Sequence, residues 1–387
     1  MRRMYAALIL AVLVPACGDE NPPPKTPETT AVSATPPATV APPPATTEAT
    51  PPPPPPKPTL AELIQKNNDT FVQGMMARDA KKMASVYSEN AVIKMAGMPD
   101  MTGREAVAQM HQKMFDAWSN SKGSASRIWM KGDVVITEWQ MVGTHSGDFM
   151  GVKATEKPVG WQGISVTWYG EDGLRKEEHT YADMMTPMAQ IGKAPKGMKA
   201  RAVPALAQKP EIFMSKGDDT ENKNMETAKV AFGAFEKKDA NAFVGTMADN
   251  VEWDDMTQPV ASKGKAESKK FFEMMTKAFP DTKAEIKNIW AFGDYVIVEE
   301  VMTGTHKGDF MGIKATKKPV NMHGIDVIQV KDGKAVHGWS YMNGAEMAMQ
   351  LGLMPDPTKP APAPAAPKGG SAPAPAPKGG TAPAPKK

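Results

Sequence analysis

The sequence predicts an α+β protein: two tandem cones, each with helices packed on a curved antiparallel sheet, flanked by disordered proline-rich segments. Three observations predict this. A long block recurs at an offset of about 161 positions. Each copy passes from helical to strand-like apolar spacing. Proline, at 37 of 387 residues, exceeds what an ordinary globular chain carries and crowds at the two ends.

The repeat is read directly. Gly143-Thr144-His145-Ser146-Gly147-Asp148-Phe149-Met150-Gly151 returns as Gly304-Thr305-His306-Lys307-Gly308-Asp309-Phe310-Met311-Gly312. Lys157-Pro158-Val159 returns as Lys318-Pro319-Val320, and Gly163-Ile164 as Gly324-Ile325. Trp129, Tyr181 and Gly192 find partners in Trp290, Tyr341 and Gly352. Two long copies make a duplicated domain, not a solenoid.

The elements follow in order. Leu63, Ile64, Phe71, Met75 and Met76 have the spacing of one helix face. Asp79 opens a second short helix, and Ala91-Val92-Ile93 reads as a strand. Thr102 is placed to cap a long helix through Met110, Met114 and Trp118. Four β segments follow, at 125–131, 134–145, 158–169 and 174–182, separated by turn signals such as Glu171-Asp172-Gly173. A last helix runs over 183–191. Helices followed by a bent sheet predict a cone, with the concave face enclosing a pocket.

The domain plan is then a signal segment at 1–16, a stalk at 17–58, domain 1 at 59–192, a linker at 193–221, domain 2 at 222–354 and a cationic Ala/Pro/Lys/Gly tail at 355–387. The stalk is built of Pro, Thr, Ala and Glu and should be extended polyproline II. It would reach on the order of 100 Å. Ile212-Phe213-Met214 is an apolar patch in the linker that can pack locally.

Arg2 and Arg3 precede a short apolar run, Met4 to Val14, which is too short to span a bilayer. It ends in Val14-Pro15-Ala16-Cys17, which resembles a bacterial lipobox. The resemblance implies a lipid on Cys17, the one cysteine of the chain, and anchoring in the cell envelope. Asp19 lies one place beyond the position that would favour the inner membrane, so the expectation is the outer membrane, periplasmic side. A net charge of +3 without a concentrated basic face excludes the signature of nucleic-acid binding. The 30 methionines are read as filling irregular cores.

The Gly-Thr-His-x-Gly-Asp-Phe-Met-Gly block, the Ala-Thr-x-Lys-Pro-Val run, the Gly-Ile pair and an aromatic-rich last strand resemble the SnoaL-like polyketide cyclases of the NTF2-like superfamily. The resemblance implies tandem NTF2-like cones, a deep pocket and, in the namesake enzymes, ring closure by intramolecular aldol addition without a metal or organic cofactor. It also implies a pocket Asp on the last strand as acid/base. Thr180 and Ser340 stand in that position, and a hydroxyl cannot act as a base at neutral pH.

The remaining candidates are weighed on residue type. His323 and Asp326 lie on a strand expected to line the pocket of domain 2 and are the catalytic candidates. Three residues apart, they point to opposite faces, so one of them faces inward. Gln162 and Ser165 stand there in domain 1. His145 and His306 are either pocket groups or strand-end histidines bonded to the following loop, the second reading being favoured. His179, Tyr181, Asp183, Trp339 and Tyr341 are further pocket candidates, with core packing equally open for the aromatics. Asp148 and Asp309 read as turn formers. No metal site or cofactor is expected.

Three functions follow. The leading expectation is a membrane-anchored protein whose domains bind a small, largely apolar molecule, not necessarily transforming it. The second is a cyclase- or isomerase-like proton-transfer enzyme working through domain 2. The third is a structural or partner-binding module, with domain–domain or homodimer packing through sheet faces.

Overall fold

The computed structural model describes residues 57–194 and 199–354. The signal segment, Cys17, all but the end of the stalk, and the tail at 355–387 lie outside the described residues. Among the described residues, no helix is long and apolar enough to cross a membrane. By their contacts they form two compact units. The first comprises residues up to Lys94, Asp100–Thr180 and Ala202–Ser215; the second comprises Met95–Pro99, Tyr181–Arg201 and the chain from Lys216.

In the first unit, α1 (Leu60–Ala77) starts at a capping box in which Thr59 and Glu62 satisfy each other's backbone N–H groups. Phe71 and Met75 pack with Ala80, Met83 and Phe115, as the helical spacing predicts. Met76 is instead 71% exposed, because it falls just past the edge of that stripe. Asp79 caps α2 (Ala80–Ala84), as expected. For α3 (Arg104–Ala117) the N-cap is Gly103, with no side-chain cap bond, and the expected cap Thr102 ends the strand before it.

The strands are β1 (Tyr87–Met95), β2 (Met101–Thr102), β3 (Trp118–Lys131), β4 (Val134–His145), β5 (Pro158–Tyr169) and β6 (Arg175–Ala182). After the short helix α4 (Met185–Gln190), which falls in the second unit, comes β7 (Glu211–Met214). The order across the sheet is β2-β1-β6-β5-β4-β3-β7. β7 is built from the apolar patch of the linker and pairs in parallel with β3. Phe213 stacks there on Trp129, ring centroids 5.7 Å apart.

The second unit repeats the plan with α5 (Asp219–Lys237), α6 (Ala240–Gly245), β8 (Met247–Asp255), β9 (Ser262–Lys263), α7 (Lys265–Ala278), β10 (Lys283–Phe292), β11 (Tyr295–Thr305), β12 (Pro319–Lys331), β13 (Lys334–Met342) and α8 (Gly344–Leu351). Its sheet runs β10-β11-β12-β13-β8-β9. The meander from β10 to β13 is antiparallel, whereas β8 joins β13 in parallel. A strand that precedes the meander can close the sheet only by a crossover, so the sheet is mixed and not purely antiparallel. Asp332 and Gly333, both at positive φ, form the tight turn between β12 and β13.

The core of the second unit fixes which face of the sheet the helices cover. Val296, Val298 and Met302 of β11, with Val320, Met322 and Ile328 of β12, pack with Phe232, Phe235 and Phe272 of the helices. The even-numbered residues of β11 and β12 therefore face the helices.

Candidate functional site

Alternation along β11 and β12 brings two carboxylates to this helix-covered face. Glu300 stands between Val298 and Met302, and Asp326 between Met322 and Ile328 on the neighbouring strand. Both are buried, at 3% and 8% exposure. In the ladder Asp326 lies between Val298 and Ser340, and Ser340 lies next to Asp255 of β8. The Trp253 indole N–H donates to Ser340 Oγ at 2.8 Å. A Cβ on Gly338 would collide with that indole, so this glycine makes room for Trp253 to lie over β13. Glu300 Oε2 is buried without a hydrogen-bond partner.

Burial pushes the Asp326 carboxyl up to about 7; the hydrogen bond from Ser340 opposes this, and the nearby Asp255 adds to it. Glu300 is raised well above the ordinary carboxylate range, first by burial and then by the charge of Asp326. Asp255 is raised by burial as well, although Thr257 donates both its backbone N–H and its hydroxyl to Oδ1. Two neighbouring carboxyl groups whose affinities for a proton are both raised can share and relay one.

The structure separates the two catalytic candidates. Asp326 faces the helices. His323 lies on the other face of β12, where Nδ1 meets Glu346 Oε1 at 2.7 Å and the imidazole is raised by that bond. An odd spacing on a strand cannot place both on one face. Trp339 and Tyr341 likewise flank Ser340 on the opposite face of β13, Trp339 stacking on His337 at 3.9 Å. These aromatics therefore do not share the face of Asp326, and Tyr341, fully buried, takes the core-packing role left open for it.

His145 and His306 are fully buried loop anchors. Nδ1 of each meets a threonine hydroxyl, Thr155 at 3.0 Å and Thr316 at 3.1 Å. Their backbone N–H groups donate to the carbonyls of Lys157 and Lys318. Each ring lies on an aromatic, Trp118 or Phe279. Asp148 and Asp309 close the same loops through ion pairs with Lys153 and Lys314.

The other candidates are dispersed. Asp183 accepts from the N–H groups of Met185, Thr186 and Gly344 and from the Thr186 hydroxyl, the work of a helix cap. Tyr181 donates to Glu299 Oε1 at 2.6 Å. His179 pairs with Glu177 at 2.8 Å beside Trp168. Gln162 is half-buried opposite Gln140 on β4.

In the first unit the equivalents of Glu300 and Asp326 are Trp139 and Ser165. Trp139 Nε1 donates to Ser165 Oγ at 3.1 Å, and Ser165 is 3.0 Å from Thr180 Oγ1. Thr180 in turn donates to Glu178 Oε1 at 3.2 Å. The places of Glu300 and Asp326 thus carry no carboxyl group in the first unit, where the nearest carboxylate on this chain of bonds is Glu178.

Sequence reasoning missed Glu300, Trp253 and Asp255. One signal was available for Glu300: two consecutive glutamates on a strand, Glu299-Glu300, must send one carboxylate to each face. Trp253 and Asp255 carry no such signal, because only the parallel pairing of β8 with β13 brings them beside Ser340.

A scan of family models matches the SnoaL-like polyketide cyclase model twice, over residues 65–191 and 227–351. The chain belongs to this family. It carries two tandem SnoaL-like domains of the NTF2-like kind, each a set of helices on a sheet that does not close into a barrel. Among solved structures it is similar to AclR from Streptomyces galilaeus, at 26% identity over 35% of this chain and 99% of that one, TM-score 0.32. A SnoaL-like protein from Jannaschia sp. CCS1 matches at 18% identity over 36% and 97%, TM-score 0.34. IdmH from Streptomyces antibioticus matches at 24% identity over 33% and 98%, TM-score 0.30. A search of curated proteins finds no match.

Proposed function

We propose that the chain is an envelope lipoprotein whose second SnoaL-like domain is a cyclase- or isomerase-like proton-transfer enzyme acting on a small, largely apolar carbonyl compound. The observation that carries this reading is Asp326, buried among Val298, Met322 and Ile328 on the helix-covered face, beside Glu300 with an unpartnered Oε2. A carboxylate in such surroundings is a stronger base than one in water. Asp326 takes the proton from the carbon next to the carbonyl, and the C–H electrons move to the carbonyl oxygen. Glu300, protonated, donates a hydrogen bond to that oxygen. The enolate then either regains the proton at another carbon, which is isomerisation, or attacks a second carbonyl of the same molecule, which closes a ring as the C=O π electrons move to its oxygen and that alkoxide takes the proton back from Asp326. Ser340 and Trp253 hold Asp326 in position.

The first domain is assigned to binding without this chemistry. Trp139 and Ser165 offer no base at the equivalent places, and Glu178 is tied to Arg175 and Tyr87. The anchor rests on Arg2, Arg3, the apolar run to Val14 and the Val14-Pro15-Ala16-Cys17 ending. Several acyl chains on Cys17 would hold the chain at the membrane far more firmly than one. The outer membrane, periplasmic side, is the proposed location.

Two measurements test the parts separately. Solvent deuterium exchange at the α-carbon of small apolar ketones should be accelerated by the protein. Asp326→Asn should lower that rate by about 10²- to 10⁴-fold, and an unchanged rate refutes the proton-transfer reading. Cys17→Ser should release the protein from membranes, and continued membrane association refutes the anchor.

A further inference from the structure

Part of the linker, up to Arg201, belongs to the second unit. Arg201 lies outside both matches to the family model, yet its guanidinium grips the end of β8. Nη2 donates to Asp254 Oδ1 at 2.7 Å, and Nη1 donates to the carbonyls of Gln258 at 2.7 Å and Asp255 at 3.3 Å. The Gln190 side chain at the end of α4 donates to the Arg201 carbonyl at 3.0 Å and fixes its backbone. The side chains of Arg201 and Asp254 are 17% and 22% exposed, so the pair is shielded from most of the screening that weakens a surface ion pair.

What the guanidinium holds is a turn. The Gln258 N–H donates to the Asp255 carbonyl at 2.9 Å, so Arg201 meets both ends of the turn 255–258. Within it Thr257 is bonded to Asp255 Oδ1, and the Met256 N–H donates to the Ser340 carbonyl at 3.0 Å. Ser340 lies in the ladder between Asp255 and Asp326. A planar guanidinium serves several acceptors in fixed directions, which an ammonium group does not. The repeat supplies an internal control. At the places of Asp254 and Asp255 the first copy has Lys94 and Met95, and neither side chain offers a carboxylate. The acidic pair that Arg201 grips and the carboxyl site thus occur in the same copy.

We infer that Arg201 is a positioning residue of the second domain: through it the linker clamps the turn 255–258 and holds the Asp255 carboxylate at the site of Asp326. The inference rests on the reading of Asp326 as the base. Asp326 faces Glu300 of β11 and Asp255 of β8; Asp255 in addition faces Asp183, ahead of α4, and Arg201. Arg201 is the cation among these groups, and its charge favours an ionised Asp255. That carboxylate in turn disfavours a second negative charge on Asp326. Without Arg201 the turn loosens and Asp255 loses the cation that keeps it ionised. Both changes ease the ionisation of Asp326.

The test follows the NMR signal of the Asp326 carboxyl in the full chain carrying isotope-labelled aspartate, assigned by its absence from Asp326→Asn. Arg201→Gln should move the titration midpoint of that signal downward from about 7, and the pH at which ketone deuterium exchange is half-maximal should fall with it. Asp255→Asn should move the midpoint the same way, and Arg201→Gln added to it should move the midpoint no further. An unchanged midpoint in Arg201→Gln overturns the inference, and so does a shift of full size in the Asp255→Asn background. If the glutamine variant folds poorly, Arg201→Lys decides, because it keeps the charge without the fork: the midpoint should still fall, and an unchanged one overturns the inference. The titration needs no turnover. Absence of ketone exchange in the wild type would therefore refute the proton-transfer reading alone, and the midpoints would still judge Arg201.

Discussion

Replacing Asp326 by Asn should trade activity for stability in a way that depends on pH. The carboxyl is raised by burial from 3.8 to about 7. A folded-state value above the unfolded one means that the folded protein binds the proton more tightly. The stability this provides is complete below about pH 4 and is lost as pH rises through about 7. A shift of about three units at about 1.4 kcal/mol each corresponds to about 4 kcal/mol lost by the wild type over that window. Asparagine does not ionise, so Asp326→Asn escapes the loss. Glu300 is at the same time freed from a like-charged neighbour, which acts in the same direction. The amide meets Ser340 less well than the carboxyl does and adds a pH-independent offset of about 1–3 kcal/mol. The readout is therefore the slope. Urea unfolding, followed through the transition of the second domain, should show the difference between variant and wild type growing by several kcal/mol from about pH 4.5 to about pH 8. A difference that stays flat with pH refutes the argument that Asp326 is held in an environment hostile to its charge.

Three further outcomes are expected. Glu138→Ala removes the carboxylate bonded by Arg127 at 2.5 and 2.7 Å and so breaks a buried ion pair; chemical denaturation should show a loss of about 3–5 kcal/mol in the first domain. Gly308→Ala puts a Cβ 2.7 Å from the Lys277 carbonyl oxygen and should cost about 1–3 kcal/mol, while Gly312→Ala, with open space around it but a φ of +82°, should cost less. His111 is lowered from 6.5 to about 4. The unfolded chain therefore binds the extra proton first, and the first domain should lose about 3 kcal/mol as pH falls from about 6.5 to about 4. His111→Phe should abolish that acid sensitivity.

Much of the architecture was legible because it rests on local periodicity and on copying. The capping box of α1, the Asp79 cap and the order of helices and strands all follow from neighbours in the chain. The duplicated loop was legible as sequence; in the structure each of its histidines meets a threonine hydroxyl of the following loop. The linker strand β7 announced itself only as an apolar patch. Its parallel pairing with β3 depends on a partner about 85 residues away, which no local pattern encodes.

The candidate site was half legible. Alternation alone said that only one of His323 and Asp326 could face inward, but not which one. That was decided by which face of β12 looks into the core of the second unit, the face that carries Met322 and Ile328 into the same core as Phe272 of α7. For Trp339 and Tyr341 the sequence left pocket lining and core packing equally open for the same reason, since an aromatic on a doubly covered strand can serve either face.

The sequence by itself determined the family, the duplication and the divergence between the copies: Ser165 against Asp326, Trp139 against Glu300, His111 against Phe272. These are properties of positions and need no coordinates. Tertiary structure decided what those positions mean. It set Glu300 and Asp326 on adjacent strands, laid Ser340 and Trp253 beside them through a parallel pairing, and left His111 buried without a partner. Burial is a property of the whole assembly of elements, and it is burial that turns an ordinary aspartate into a base poised near neutrality.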